Sequence, residues 1–145
     1  MKSLIVFDSN FGNTKKIADS IAGQLGSGAL SISVNDLKDS DLNEIDLLIV
    51  GSPINAWSPT KKTAAFLDRL GSFKMNGIKS AAFDTRIKSF ISGNAAKKIA
   101  KALQQSGADL VVPPVGFYVT DKEGPPMNGE IKKAEGWAQL IKSKL

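Results

Sequence analysis

The chain has 145 residues, 42% of them hydrophobic, and carries 19 basic against 14 acidic side chains, a formal charge of +5 with an isoelectric point near 9.5. That length is enough for one well-buried domain and short for two. Cysteine and histidine are both absent, which excludes disulfides, thiolate and imidazole metal sites, iron–sulfur clusters, thiol nucleophiles and the commonest general base.

The first apolar run, 3–8, reads as a strand buried on both faces. It is too short, and too soon followed by Asp8, to serve as a secretory hydrophobic segment, and no later run approaches the length of a membrane span. A soluble, cytoplasmic protein is expected. Next comes SNFGNT, residues 9–14, and then a helical stripe of Ile17, Ala18, Ile21, Ala22 and Leu25, with Gly26 in a C-cap position. A second strand is predicted over 29–34, a short or irregular helix over 36–44, and a third strand over 46–51, ended by Gly51. The following segment, GSPINAWSPTKKTAAFLDRL, reads as a loop stiffened by Pro53 and Pro59 and exposing Trp57, then a helix with Thr63, Phe66, Leu67 and Leu70 on one face.

The fourth strand is predicted over 79–85, with a loop after it and a helix striped by Ala95, Ile99, Ala102 and Leu103, closed near Gly107. The fifth, 110–119, is interrupted by Pro113 and Pro114, so it belongs at a sheet edge. Phe117 and Tyr118 alternate faces there. A last helix follows an expected N-cap at Asn128, with Ile131, Ala134, Ala138 and Ile141 in register and Trp137 packing on the sheet. Five βα repeats predict an α/β fold: a three-layer, doubly wound, five-stranded parallel sheet in strand order 2-1-3-4-5, one domain over 1–145.

Such a sheet binds ligands beyond the carboxyl ends of its strands, at the switch point between the first and third. SNFGNT lies there, and it leads into a helix N-terminus. It offers backbone N–H groups, the positive end of the helix dipole, a glycine that allows close approach, and the hydroxyls and amides of Ser9, Asn10, Asn13 and Thr14. That pattern suits a phosphate. The alternative is a plain turn with Asn10 or Asn13 as N-cap. The loops after the third, fourth and fifth strands meet the same rim, two of them with an aromatic, so a planar apolar ring system is a fitting guest.

The G-S-P loop after the third strand, the A-A-F-D-T-R strand end and the E-G-P element before the last helix resemble the flavodoxin family over essentially the whole chain. The resemblance implies FMN as cofactor. Ser9, Asn10, Phe11, Gly12, Asn13 and Thr14 then match the phosphate loop; Pro53, Ile54, Asn55, Ala56 and Trp57 the first ring loop; and Asp84, Thr85, Arg86 and Phe90 the second. Phe11 stands where many flavodoxins have threonine, which removes one hydroxyl donor and implies weaker phosphate binding. Phe90 is a candidate ring-stacking residue or a core contact of the next helix, and Trp57 a ring contact or a packing residue of its loop. The first ring loop has no glycine after Gly51, and Asn55 is the residue there best able to take a positive φ. Asp84 and Arg86, two apart at a strand end, can also form a local ion pair in solvent.

A phosphoacceptor domain of this topology needs an acidic pair or triad at the switch point and a lysine at the end of the fifth strand, but the third strand here ends in Gly51 and Ser52 without a carboxylate; a serine hydrolase needs a histidine, and there is none. The function implied is an FMN-binding electron carrier, with an FMN-dependent NAD(P)H reductase or a flavin-free binding module as alternatives. No catalytic or metal-ligating residue is assigned. The basic charge implies redox partners with an acidic docking surface; nucleic acid and membrane are not expected partners.

Overall fold

The computed structural model of the protein describes residues 1–55, 57–88, 94–121 and 123–145. In chain order these form β1 (Ser3–Phe7), α1 (Asn13–Leu25), β2 (Ala29–Ser33), a 3-10 turn (Asp39–Leu42), β3 (Leu47–Asn55), β4 (Ser58–Pro59) and α2 (Lys61–Leu70). β5 (Lys79–Ile87), α3 (Ala95–Gln105), β6 (Asp109–Leu110), β7 (Val115–Val119) and α4 (Glu130–Ser143) complete the chain.

The sheet runs β2-β1-β3-β5, with β6 and β7 both lying along β5. These pairings are parallel. β6 and β7 are the two halves of the expected fifth strand, so the order 2-1-3-4-5 holds at the edge in a broken form. The break contains Pro113 and Pro114, which have no N–H to give to a ladder. Two features depart from the sequence expectation. β3 does not stop at Gly51, and a short antiparallel strand, β4, pairs with its far end.

Gly51 is an interior residue of β3, in register with Phe7 on one side and Phe83 on the other. A methyl group on it would lie 2.0 Å from the Phe83 ring. Its glycine therefore makes room for an aromatic ring crossing the strand; it does not end the strand. That ring belongs to an edge-to-face triad, with centroids 5.8 Å from Phe117 and 6.0 Å from Trp137, and Phe117 and Trp137 are 5.9 Å apart.

Alternation along the strands divides the core between the two faces. Ile5, Ile49 and Phe83 pack with Ile17 and Ile21 of α1 and with Trp137, Ala138 and Ile141 of α4. Leu4, Val50 and Ala82 pack with Phe66 and Leu70 of α2 and with Ile99 and Leu103 of α3. Gly26 closes α1 as expected, but Ser106 caps α3, one residue before Gly107. The N-cap of α4 is Gly129 in place of Asn128.

Candidate functional site

β1 hands the chain directly from a buried strand into the loop at 8–12. Asp8 is buried there and accepts the Ser9 N–H at 2.9 Å and the Thr60 hydroxyl. Ser52 accepts the Thr60 N–H at 3.0 Å, so the first loop and the β3–β4 hairpin share one buried anchor. The Ser9 hydroxyl accepts the Gly12 N–H at 3.0 Å. Gly12, at φ +88, is the N-cap of α1, a position that the plain-turn alternative assigns to Asn10 or Asn13. A glycine cap supplies no side-chain acceptor, and the first turn of α1 has no acidic residue. The N–H groups and positive dipole end of this helix therefore remain available to an anion.

Asn13 and Thr14 are buried. The Thr14 and Thr85 hydroxyls are 2.8 Å apart and share a hydrogen bond, tying the start of α1 to the end of β5. The Asn13 Oδ1 has no hydrogen-bond partner although it is shut off from solvent. Unsatisfied buried acceptors are uncommon, and each calls for an explanation.

These residues border a cavity of about 420 Å³ at the carboxyl ends of the strands. Ser9, Asn10, Phe11, Asn13 and Thr14 line it from the first loop, Pro53, Ile54 and Asn55 from the end of β3, and Thr85, Arg86 and Ile87 from the end of β5. Val119, the last residue of β7, closes the far side. Ten of the anticipated positions thus meet around one space. Ile87 and Val119 were not anticipated; they are register partners at the ends of adjacent strands, and only the pairing of β7 with the upper half of β5 puts them together.

The other anticipated residues lie elsewhere. Gly12 borders a separate shallow depression together with Lys15 and Ser33. Trp57 does not line the cavity; it is 53% exposed at the hairpin tip and has φ +71. The positive φ expected at Asn55 falls on Trp57, because Asn55 pairs with Ser58 as the last extended residue of β3. Ala56 and Phe90 lie outside the described residues.

Asp84, Thr85 and Arg86 belong to strand β5, not to a loop. Asp84 is fully buried and turned to the α3 side of the sheet, where it accepts two hydrogen bonds from Arg86, Nε at 2.7 Å and Nη2 at 2.6 Å. It also accepts the Ala96 N–H in the first turn of α3 at 2.8 Å. The Arg86 side chain is only 16% exposed, and its guanidinium lies over Gly116. This is a buried, forked ion pair, whereas the sequence reading allowed for a solvent-exposed one. The hydrogen bonds to Asp84 raise the Arg86 pKa above its ordinary value against the opposing effect of burial. Among the described residues no group of His, Cys, Asp and Glu could hold a metal ion, and no helix is long and apolar enough to cross a membrane.

The parallel doubly wound sheet is that of a three-layer α/β domain, with its cavity at the switch point where such sheets bind ligands. A family model described as a flavodoxin domain matches residues 4–113, and the chain belongs to the flavodoxin family. Among solved structures it is similar to oxidised flavodoxin 1 from Bacillus cereus, with a TM-score of 0.86 and 22% identity, covering 100% of this chain and 99% of that one. A flavodoxin from the domain Archaea gives a TM-score of 0.85 at 24% identity, with 99% and 98% covered. Rubredoxin:oxygen oxidoreductase from Desulfovibrio gigas gives 0.79 at 22% identity, and there the similarity spans 99% of this chain but 36% of the larger one. A comparison with curated proteins finds no match.

Proposed function

We propose that the protein binds FMN in this cavity and carries electrons between partner proteins in the cytoplasm. The observation that supports the reading best is the pairing, within one cavity, of a helix N-terminus with no side-chain cap, in a donor-rich loop, with an apolar strand-end wall. The residues present suit the cofactor. Ser9, Asn10, Asn13 and Thr14, with the first-turn N–H groups of α1, have the chemistry of a phosphate cradle. Pro53, Ile54, Ile87 and Val119 offer a mostly apolar wall to a flat ring. FMN, when bound, supplies the redox chemistry.

The chain's own residues bind, orient and exclude water. Thr85, held by Thr14, fixes the distance between the phosphate end and the ring end of the cavity. Arg86 lines the cavity with its charge already matched by Asp84. The pair presents far less field than an isolated guanidinium, so Arg86 contributes little to the potential of a bound flavin.

A fluorescence titration tests the proposal. Hydrogen bonds to a charged group are worth about 1.5–3 kcal/mol each, so losing two of them by using riboflavin, which lacks the phosphate, should weaken binding by on the order of a hundredfold or more. Equal affinity for FMN and riboflavin would remove the phosphate site. Binding of neither, with no flavin spectrum in the purified protein, would favour a flavin-free recognition module.

The partner is expected to present an acidic surface. Phe11, Trp57 and Ile87 stand exposed on the cavity side of the molecule. Lys61 and Lys62 open α2 beside the hairpin, and Lys98 of α3 reaches Ser58 with its Nζ at 2.7 Å. Raising the ionic strength from about 0.01 M to about 0.15 M shortens the Debye length from about 30 Å to about 8 Å. Electron transfer with an acidic carrier, followed by stopped flow, should slow over that interval; a rate indifferent to salt would count against charge-guided docking.

A further inference from the structure

The last loop of the chain makes an approach to the first that the redox reading does not use. Thr120 donates its N–H and its hydroxyl to the Pro125 carbonyl, at 2.9 Å and 3.0 Å. Asp121 accepts the Glu123 and Gly124 N–H groups through Oδ1, at 3.0 Å and 3.1 Å. These bonds hold Gly124 at φ +91 against the side chain of Asn13. A methyl group on Gly124 would lie 2.1 Å from Asn13 Oδ1, 2.6 Å from Cγ and 2.6 Å from Nδ2. The Asn13 amide thus lies directly on the backbone of a residue far away in sequence.

Asn13 is 7% exposed, borders the cavity, and has its Oδ1 occluded and without a partner. An amide in water would satisfy that oxygen, so the packing keeps the side chain where its own hydrogen bonding is incomplete. With Oδ1 occluded, the amide can still offer the donor pair on Nδ2. We propose that Gly124 is a positioning residue for phosphate recognition: its bare backbone seats the Asn13 amide so that Nδ2 faces the anion. The inference rests on the FMN reading and adds to it the element that sets the geometry of one phosphate donor.

Any side chain at Gly124 must push Asn13 out of its seat. In Gly124→Ala the FMN dissociation constant should rise by about tenfold, the worth of roughly one hydrogen bond, while riboflavin affinity changes by less than about twofold. Asn13→Ala should show the same selective loss, and the Asn13→Ala, Gly124→Ala double variant should be no worse than Asn13→Ala alone. Because φ +91 strains an alanine in its own right, a second measurement uses the unaltered protein. Titration with inorganic phosphate, followed by 15N NMR, should shift both the Asn13 side-chain amide and the Gly124 backbone amide.

Unchanged FMN affinity in a folded Gly124→Ala protein, equal losses for FMN and riboflavin, additive losses in the double variant, or a Gly124 amide indifferent to phosphate would each overturn the inference and leave the FMN site standing. Failure of the unaltered protein to bind either FMN or phosphate would remove both.

Discussion

Asp84→Ala is expected to destabilise the protein by about 3–5 kcal/mol, the range for removing one partner of a buried ion pair. The change strands the Arg86 guanidinium, which is held to Asp84 by two hydrogen bonds under little solvent, and leaves the Ala96 N–H at the start of α3 without its acceptor. Asp84→Asn should fall between, since its amide oxygen can still accept one of these bonds. The measurement is the urea midpoint and slope of each variant beside the parent. A loss below about 1 kcal/mol would assign the pair to the exposed class, whose members contribute little.

Trp137→Ala is expected to cost a similar amount, about 3–5 kcal/mol, for a different reason. Its ring meets Phe83 and Phe117 edge to face on the α1 and α4 side of the sheet. Truncation opens a hole lined by two rings that cannot both move inward. Trp137 does not line the cavity proposed for FMN, so FMN affinity should survive at temperatures where the variant is folded. A calorimetric melt and a flavin titration on the same sample separate the two effects; a loss of flavin binding in the folded variant would mean that the triad reaches the site through Gly51 and β3.

The sheet and its helices were legible because β-branched runs and helical stripes recur with regular spacing and each depends on nearby residues. Ser9, Asn10, Asn13 and Thr14 were legible for the same reason: one short loop between a strand and a helix has few places to go. What escaped depends on contacts between distant segments. Gly51 reads as a terminator unless Phe83 is known to lie beside it, and Asn55 reads as the loop residue suited to a positive φ unless Ser58 is known to pair with it. Asp84 and Arg86 were correctly read as partners from their spacing of two, but the burial of the pair depends on α3 closing over it. Ile87 and Val119 carry no local signal beyond being apolar, and their place at the cavity follows from sheet register.

The shared anchor beneath the two cavity loops bears on how the protein opens. Thr60 hydrogen-bonds Asp8 through its hydroxyl and Ser52 through its N–H, and it caps α2 by accepting the Thr63 N–H. Displacing the first loop therefore takes a hydrogen-bond partner from the residue that caps α2, and lifting the hairpin uncovers a buried carboxylate. Segments joined in this way unfold as one cooperative unit and not as two independent flaps. A ligand gripping either loop is therefore expected to slow amide exchange in both, sharing the entropy lost in ordering them instead of letting it fall separately on each.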